Sequence, residues 1–298
     1  MARKNRKFHR GLEDEYLRQL MTRGSLSFLR NSKLIGKNID IQIRNNYINL
    51  YYKGASLIRF EWKNRSNYEI KISEAYFEPV SPKGMGVCPS PSKDKEGKDR
   101  LRVFKYDIVS IRQLRQNFKD IVSQFKKNID YLGRGKENVF EQLFIESNLN
   151  QKNEPGFIIL DRQIVVEGLK RLDLVALSKL ENSIEYRMNL IELKYGEDSR
   201  IAEVHDKQLD MYYRLFLNDY TYIALEYEKI IVQKKAINRW PYRSIDFRIS
   251  KNSNTMRKIA IFGNIKENSC LLIKAKKQFD RKTFYVVTNN ILKEEELL

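Results

Sequence analysis

Hydrophobic positions along this chain switch between two periods, and the switches mark its elements. Apolar residues over 12–28 follow the acids Glu13, Asp14 and Glu15 and predict a first helix, with negative charge where a helix N-terminus favours it. From Ile39 the period drops to two. Ile39, Ile41 and Ile43 alternate with Asp40, Gln42 and Arg44, and Asn45-Asn46 then reads as a turn. A strand over 47–52, a turn at Lys53-Gly54 and further strands over 56–62 and 68–77 predict an antiparallel meander of roughly four strands. Residues 79–100 are rich in Pro, Gly, Ser, Lys and Asp and read as a long loop. Ile111, Leu114, Phe118, Ile121, Val122, Phe125 and Ile129 then recur at helical spacing and predict an amphipathic helix over 108–129. Its other face carries Arg112, Arg115, Lys119, Lys126 and Lys127, a solvated face by default and a phosphate-contacting one if the partner is nucleic acid.

Gly133-Arg134-Gly135 ends that helix, and a second follows over 136–148. Pro155-Gly156 precedes a strand over 157–160, and Val165-Val166 follow. Two strongly apolar strands, 171–177 and 189–195, flank a polar connection at 178–187. A helix is expected over 202–217 and strands over 220–227, 247–249 and 259–262, while 271–273 and 284–287 also read as extended. No internal repeat is visible. The expected organisation is two domains of an α+β or α/β chain: an antiparallel, β-rich one with its amphipathic helix over 1–130, and a mixed sheet with helices over 131–298.

Composition narrows the partners. Of 298 residues 42% are hydrophobic, enough for a sizeable core, while the formal charge of +18 and pI of about 9.7 favour a polyanion, nucleic acid ahead of a membrane surface. No apolar run is long enough to cross a bilayer. Residues 1–130 hold 28 Lys and Arg against 14 Asp and Glu, and residues 131–298 hold 28 against 24, so most of the excess lies in the first part. Residues 1–10 read as a basic, disordered arm rather than a secretory signal, and 293–298 as a charged tail. Cys88 and Cys270 lack metal-ligand spacing and fit a reducing cytoplasm; His9 and His205 cannot build a histidine metal cage by themselves.

The chemistry concentrates in the two apolar strands. Asp173 stands alone among Leu172, Leu174 and Val175, and Glu192-Leu193-Lys194 follows Leu190-Ile191. Charges in such runs are costly unless paired or bound to metal. Glu192 and Lys194, two apart on a strand, share a face. If the strands form a hairpin centred on Asn182-Ser183, Asp173 falls opposite Glu192. Two adjacent carboxylates invite a divalent cation, and oxygen ligands, with the Leu193 carbonyl as a further one, favour Mg²⁺ or Mn²⁺. Glu-x-Lys alone means little here: Glu61-Trp62-Lys63, Glu69-Ile70-Lys71 and Glu96-Gly97-Lys98 share it and read as surface ion pairs. A buried structural salt bridge is the bland reading of 192–194.

Asp173 with Glu192-Leu193-Lys194 resembles the PD-(D/E)xK nuclease superfamily, and the spacing is similar to that of uncharacterised bacterial members. The resemblance covers about residues 133–230. It implies a restriction-endonuclease-like mixed sheet flanked by helices, with an upstream helix offering a further acid. Arg171-Leu172 stands where the motif's proline would be. Glu137 and Glu141, four apart on the expected helix, both qualify as the helix acid. Gln208 and Tyr212 resemble a Gln-x-x-x-Tyr helix of recombination-type relatives, in which the glutamine supports the site. His205 reads as a rim residue. Tyr51, Tyr52, Trp62 and Tyr68 could stack on unpaired bases or pack in the sheet. The implied protein is a Mg²⁺- or Mn²⁺-dependent nuclease acting on DNA in a defence, restriction or mobile-element setting. Asp173, Glu192, Lys194, Glu137 or Glu141, and Gln208 would form its site, and Asp173, Glu192, Leu193 and Glu137 would be its metal ligands. Two-strand cutting would call for a homodimer. The alternative is a non-catalytic nucleic-acid-binding or assembly protein on the same fold.

Overall fold

In the computed structural model, residues 8, 10–21, 24–35, 39–64, 67–77, 85, 92–93, 100–133, 135–150, 156–166, 168–197, 199–237, 239–242 and 247–288 are described. The chain divides into two units, one of Arg10–Gly135 and Val232–Trp240, the other of Met1–His9, Lys136–Ile231 and Pro241–Leu298. The arm expected over 1–10 lies outside the described residues except for Phe8 and Arg10. Both are buried rather than trailing in solvent. The 79–100 loop lies outside them except for Met85, 92–93 and 100, as do Glu96-Gly97-Lys98 and the tail over 293–298.

In the first unit, helix α1 covers only Asp14–Leu20, shorter than expected, and a 3-10 turn at Ser27–Arg30 comes later. Gly24 explains the break: a Cβ there would lie 2.1 Å from the Gln19 carbonyl oxygen, so the chain folds back where only glycine fits. A short α2 (Ser32–Ile35) leads into the meander β1 (Ile39–Arg44), β2 (Tyr47–Tyr52), β3 (Ala55–Asn64) and β4 (Asn67–Ser73). The turn chemistry is as read: Asn46 has φ +53°, and Lys53 and Gly54 have φ +45° and +81°, the paired positive values of a type I′ hairpin. After α3 (Glu74–Phe77) and the two-residue β5 (Ser92–Lys93), β6 (Arg100–Asp107) pairs with β4. The sheet order is β1-β2-β3-β4-β6-β5, all antiparallel, so β6 is a fifth full strand beyond the four expected.

Helix α4 (Ile108–Leu132) begins with a capping box: the Ser110 N–H donates to Asp107 Oδ1 at 2.7 Å and the Asp107 N–H to Ser110 Oγ at 3.0 Å. All seven of its expected core residues are buried, with Phe118 edge-on to Phe28 at 4.8 Å. Arg112, Arg115, Lys119 and Lys127 are exposed, while Lys126 lies 4.9 Å over the Tyr52 ring. The four aromatics that could have stacked on bases are engaged inside the unit. Tyr51 lies under Arg44, Tyr52 bonds Asp130, Trp62 stacks on Tyr16, and Tyr68 bonds Ser25. Glu61 and Glu69 meet Lys63 and Lys71, the ion pairs expected of the rival Glu-x-Lys triplets.

In the second unit α5 (Lys136–Asn150) precedes β7 (Ile158–Ile164), β8 (Leu172–Lys179) and β9 (Glu185–Tyr195). Helices α6 (Asp210–Asn218) and α7 (Tyr220–Ala236) follow, then β10 (Arg248–Ile249), β11 (Arg257–Gly263), α8 (Cys270–Lys276) and β12 (Thr283–Thr288). The sheet runs β12-β11-β9-β8-β7, with β10 also on β9. Strands β7, β8 and β9 are antiparallel neighbours, and β11 is parallel to β9 and to β12. One face packs on α5 through Phe140, Phe144, Leu174, Ile191, Leu193 and Ile261.

Two strand expectations are corrected here. Residues 220–227 are helical, and the buried positions Tyr220, Ile223, Ala224, Tyr227, Ile230 and Ile231 have the helical period that their aromatic and β-branched character obscured. Residues 271–273 lie in α8, whose core is made by Leu272 and Ala275, one turn apart. The helix expected over 202–217 is a 3-10 turn at Ser199–Glu203, a π turn at His205–Leu209 and then α6.

Candidate active site

The β8–β9 hairpin has the register that its polar midpoint predicts. Leu180 N–H donates to Glu185 O at 2.9 Å, Asn182 takes φ +53°, and pairing runs from Lys179↔Tyr186 to Leu174↔Ile191. Asp173 and Glu192 are therefore the next opposed positions. Here side chains replace the ladder. Asp173 Oδ2 accepts the Leu193 N–H at 2.8 Å, and Glu192 Oε2 faces the Asp173 N–H at 3.4 Å. The two strands part at this point, with both acids buried in the opening.

Lys194 shares the face of Glu192, as alternation requires. Its Nζ donates to Glu192 Oε1 at 2.5 Å, to Glu137 Oε1 at 3.2 Å and to the Leu193 carbonyl at 3.2 Å. Glu137 comes from the first turn of α5, where a carboxylate suits the helix dipole. Its other oxygen accepts from Arg200 Nη2 at 2.8 Å. Glu141, one turn further, goes elsewhere: Arg162 of β7, fully buried, donates to it from Nε at 2.9 Å. The structure thus brings Glu137 to the lysine and commits Glu141 to a buried ion pair.

The electrostatics follow from burial. Desolvation, then the charge of Glu192, push the Asp173 pKa well above the ordinary aspartate value. Desolvation also raises Glu192 against the opposing pull of Lys194. Burial alone would lower Lys194, but Glu192, Asp173 and Glu137 together hold it above the ordinary lysine value. Two carboxylates and a carbonyl oxygen thus meet one buried ammonium, with Asp173 close enough to act on it through charge. This donor set is hard, oxygen-only and acid-rich, the chemistry Mg²⁺ favours, but among the described residues Asp173, Glu192 and Glu137 do not gather their oxygens into a cage, and Lys194 lies between Glu192 and Glu137, so a cation would have to displace its ammonium.

Gln208 does not touch the acids. From the π turn its Nε2 donates to the Arg171 carbonyl at 3.2 Å, two residues before Asp173, and Tyr212 OH donates to the Ile164 carbonyl at 2.8 Å. They tie this helical stretch to the two ends of the β7–β8 connection, Gln208 to the residue before β8 and Tyr212 to the last residue of β7. His205 is buried rather than at a rim. Its Nε2 faces Lys258 Nζ at 3.1 Å, and the same ammonium meets Asp210 at 3.2 Å and Asp280 at 2.5 Å. His205, Asp210 and Asp280 form a group that could hold a metal ion, but Lys258 supplies a positive charge among them already. An ammonium only donates, so the contact with Lys258 calls for His205 Nε2 as acceptor, and the other ring nitrogen, Nδ1, faces Asp206 at 2.8 Å. Lys258 and Arg200 were not singled out from sequence; only the tertiary fold sets them beside acids.

Compared with protein-family models, with curated proteins and with solved structures, the chain matches none. Among the described residues no helix is long and apolar enough to cross a membrane.

Proposed function

We propose that this chain is a divalent-metal-dependent nuclease that hydrolyses phosphodiester bonds of DNA on a restriction-endonuclease-like sheet. The observation that carries the reading is the meeting of Asp173, Glu192, Lys194 and Glu137 where β8 and β9 part. The mixed sheet flanked by helices, with an upstream helix contributing Glu137, is in keeping with the PD-(D/E)xK resemblance. Bound Mg²⁺ or Mn²⁺ would polarise the scissile phosphate and acidify a water. Asp173, Glu192, Glu137 and the Leu193 carbonyl would be its ligands. Lys194, already protonated and anchored by Glu192, would hold its proton at Nζ against negative charge developing on the phosphate. Gln208 would act at one remove, fixing the backbone that presents Asp173.

One observation favours a second reading. Both acids also serve backbone N–H groups where the ladder ends, so the cluster could be purely structural in a non-catalytic nucleic-acid-binding protein. Incubation with plasmid, linear and single-stranded DNA and with RNA, with Mg²⁺, Mn²⁺ or EDTA, separates the two. The nuclease reading expects metal-dependent cleavage of DNA that Glu192→Gln and Lys194→Ala reduce at least about a hundredfold. Absence of cleavage on every substrate, or variants that cut like wild type, would sink it.

A further inference from the structure

We infer that Arg200 grips the DNA backbone at the mouth of this site, with Glu137 holding its guanidinium ready; the inference rests on the nuclease reading for the cleavage step, not for binding itself. Exposure rises outwards along one connected line, from the Lys194 side chain at 2% through Glu137 at 28% to Arg200 at 57%. Glu137 joins the two cations: Oε1 faces Lys194 and Oε2 faces Arg200. Of these connected groups Arg200 is the one most accessible to an anion from solvent.

Physical chemistry requires such a group. A phosphodiester approaching Glu192 and Glu137 meets negative charge that Lys194 offsets only in part, and a further cation beside Glu137 eases and steers the encounter. Arginine suits the task, because its planar fork matches two phosphate oxygens at once, which a lysine ammonium cannot do. The exchange is inexpensive. A half-exposed ion pair such as Arg200–Glu137 contributes little by itself, so giving up that one pair costs little. The same transfer leaves Glu137 Oε2 free of its arginine, at the moment when a cation-binding carboxylate is needed. The backbone also favours this placement. Arg200 lies in the 3-10 turn Ser199–Glu203, five residues beyond the end of β9, the strand that supplies Glu192 and Lys194.

The test is equilibrium binding of a short fluorescein-labelled DNA duplex to the full chain in EDTA, read by anisotropy over a salt series. Arg200→Ala and Arg200→Lys are compared with Lys251→Ala, which removes one exposed charge elsewhere in the same unit. Arg200→Ala should weaken binding about tenfold, and Arg200→Lys should recover only part of the loss. Lys251→Ala should stay within about twofold of wild type. Thermal melts that match wild type show that the fold is intact. Arg200→Ala binding as Lys251→Ala does, or Arg200→Lys binding as wild type does, overturns the inference. The outcomes separate it from the nuclease reading. Cleavage by wild type with no Arg200 effect on binding removes the inference alone, whereas an Arg200 effect with no cleavage on any substrate removes hydrolysis alone.

Discussion

Asp173 is a carboxylate kept out of water beside a second one, and the consequence is measurable without knowing the substrate. Its pKa is raised in the folded chain by desolvation and by Glu192, so between the ordinary aspartate value and the raised one the folded state binds the proton more tightly than the unfolded state. Stability from this group is therefore full at low pH and falls as pH rises. Asp173→Asn removes the titration while keeping the shape. In EDTA the variant should match wild type near pH 4 and exceed it at pH 7 by about 1 kcal/mol or more, the equivalent of one pKa unit. Urea denaturation at the two pH values reads this directly. A variant less stable than wild type at pH 7 would mean that the Leu193 N–H bond to the carboxylate outweighs its burial. At this scale the sequence was legible where charge interrupts an apolar strand, which is how Asp173, Glu192 and Lys194 stand out. Between Glu137 and Glu141 it offered only a lean to Glu137 from its place at the helix start, because residues four apart share one helix face. The choice turns on Arg162, whose burial on β7 no local pattern reveals.

At the scale of elements, the site depends on how closely α5 packs on the sheet. Gly263 ends β11, and a Cβ there would lie 2.8 Å from the Phe140 ring and 3.0 Å from that of Tyr195. Phe140 stands one turn after Glu137, so moving its ring moves the turn that carries the acid. Gly263→Ala should cost about 1–3 kcal/mol in a denaturation curve, and cleavage should fall further than the loss of folded protein explains. Activity that falls only in step with folding would show that α5 need not be held so closely. The hairpins were readable because their turns require particular residues: Asn46, Lys53-Gly54 and Asn182 all have positive φ. α7 and α8 were harder, since short runs of isoleucine, leucine and tyrosine suit strand and helix alike until the buried face is known. The π turn at His205–Leu209 has no sequence signal of its own. It exists where His205 and Asp210 converge on Lys258, a residue nearly fifty positions later.

For the whole molecule, the charge of +18 argues for a polyanionic partner, and the buried acids argue for chemistry on it. These are separate claims from separate parts of the sequence. The excess over residues 1–130 predicts salt-sensitive affinity for a polyanion whether or not the second unit cuts anything. The proposed link between them is a cation in the cluster of Asp173, Glu192 and Glu137. Calorimetric titration of Mn²⁺ into the full chain, free of nucleic acid, tests that junction most directly. The account predicts saturable binding that is abolished in Glu192→Gln and retained in His205→Ala; loss in His205→Ala instead would place the cation in the His205, Asp210 and Asp280 group. No Mn²⁺ binding by wild type, or equal binding by Glu192→Gln, would contradict it.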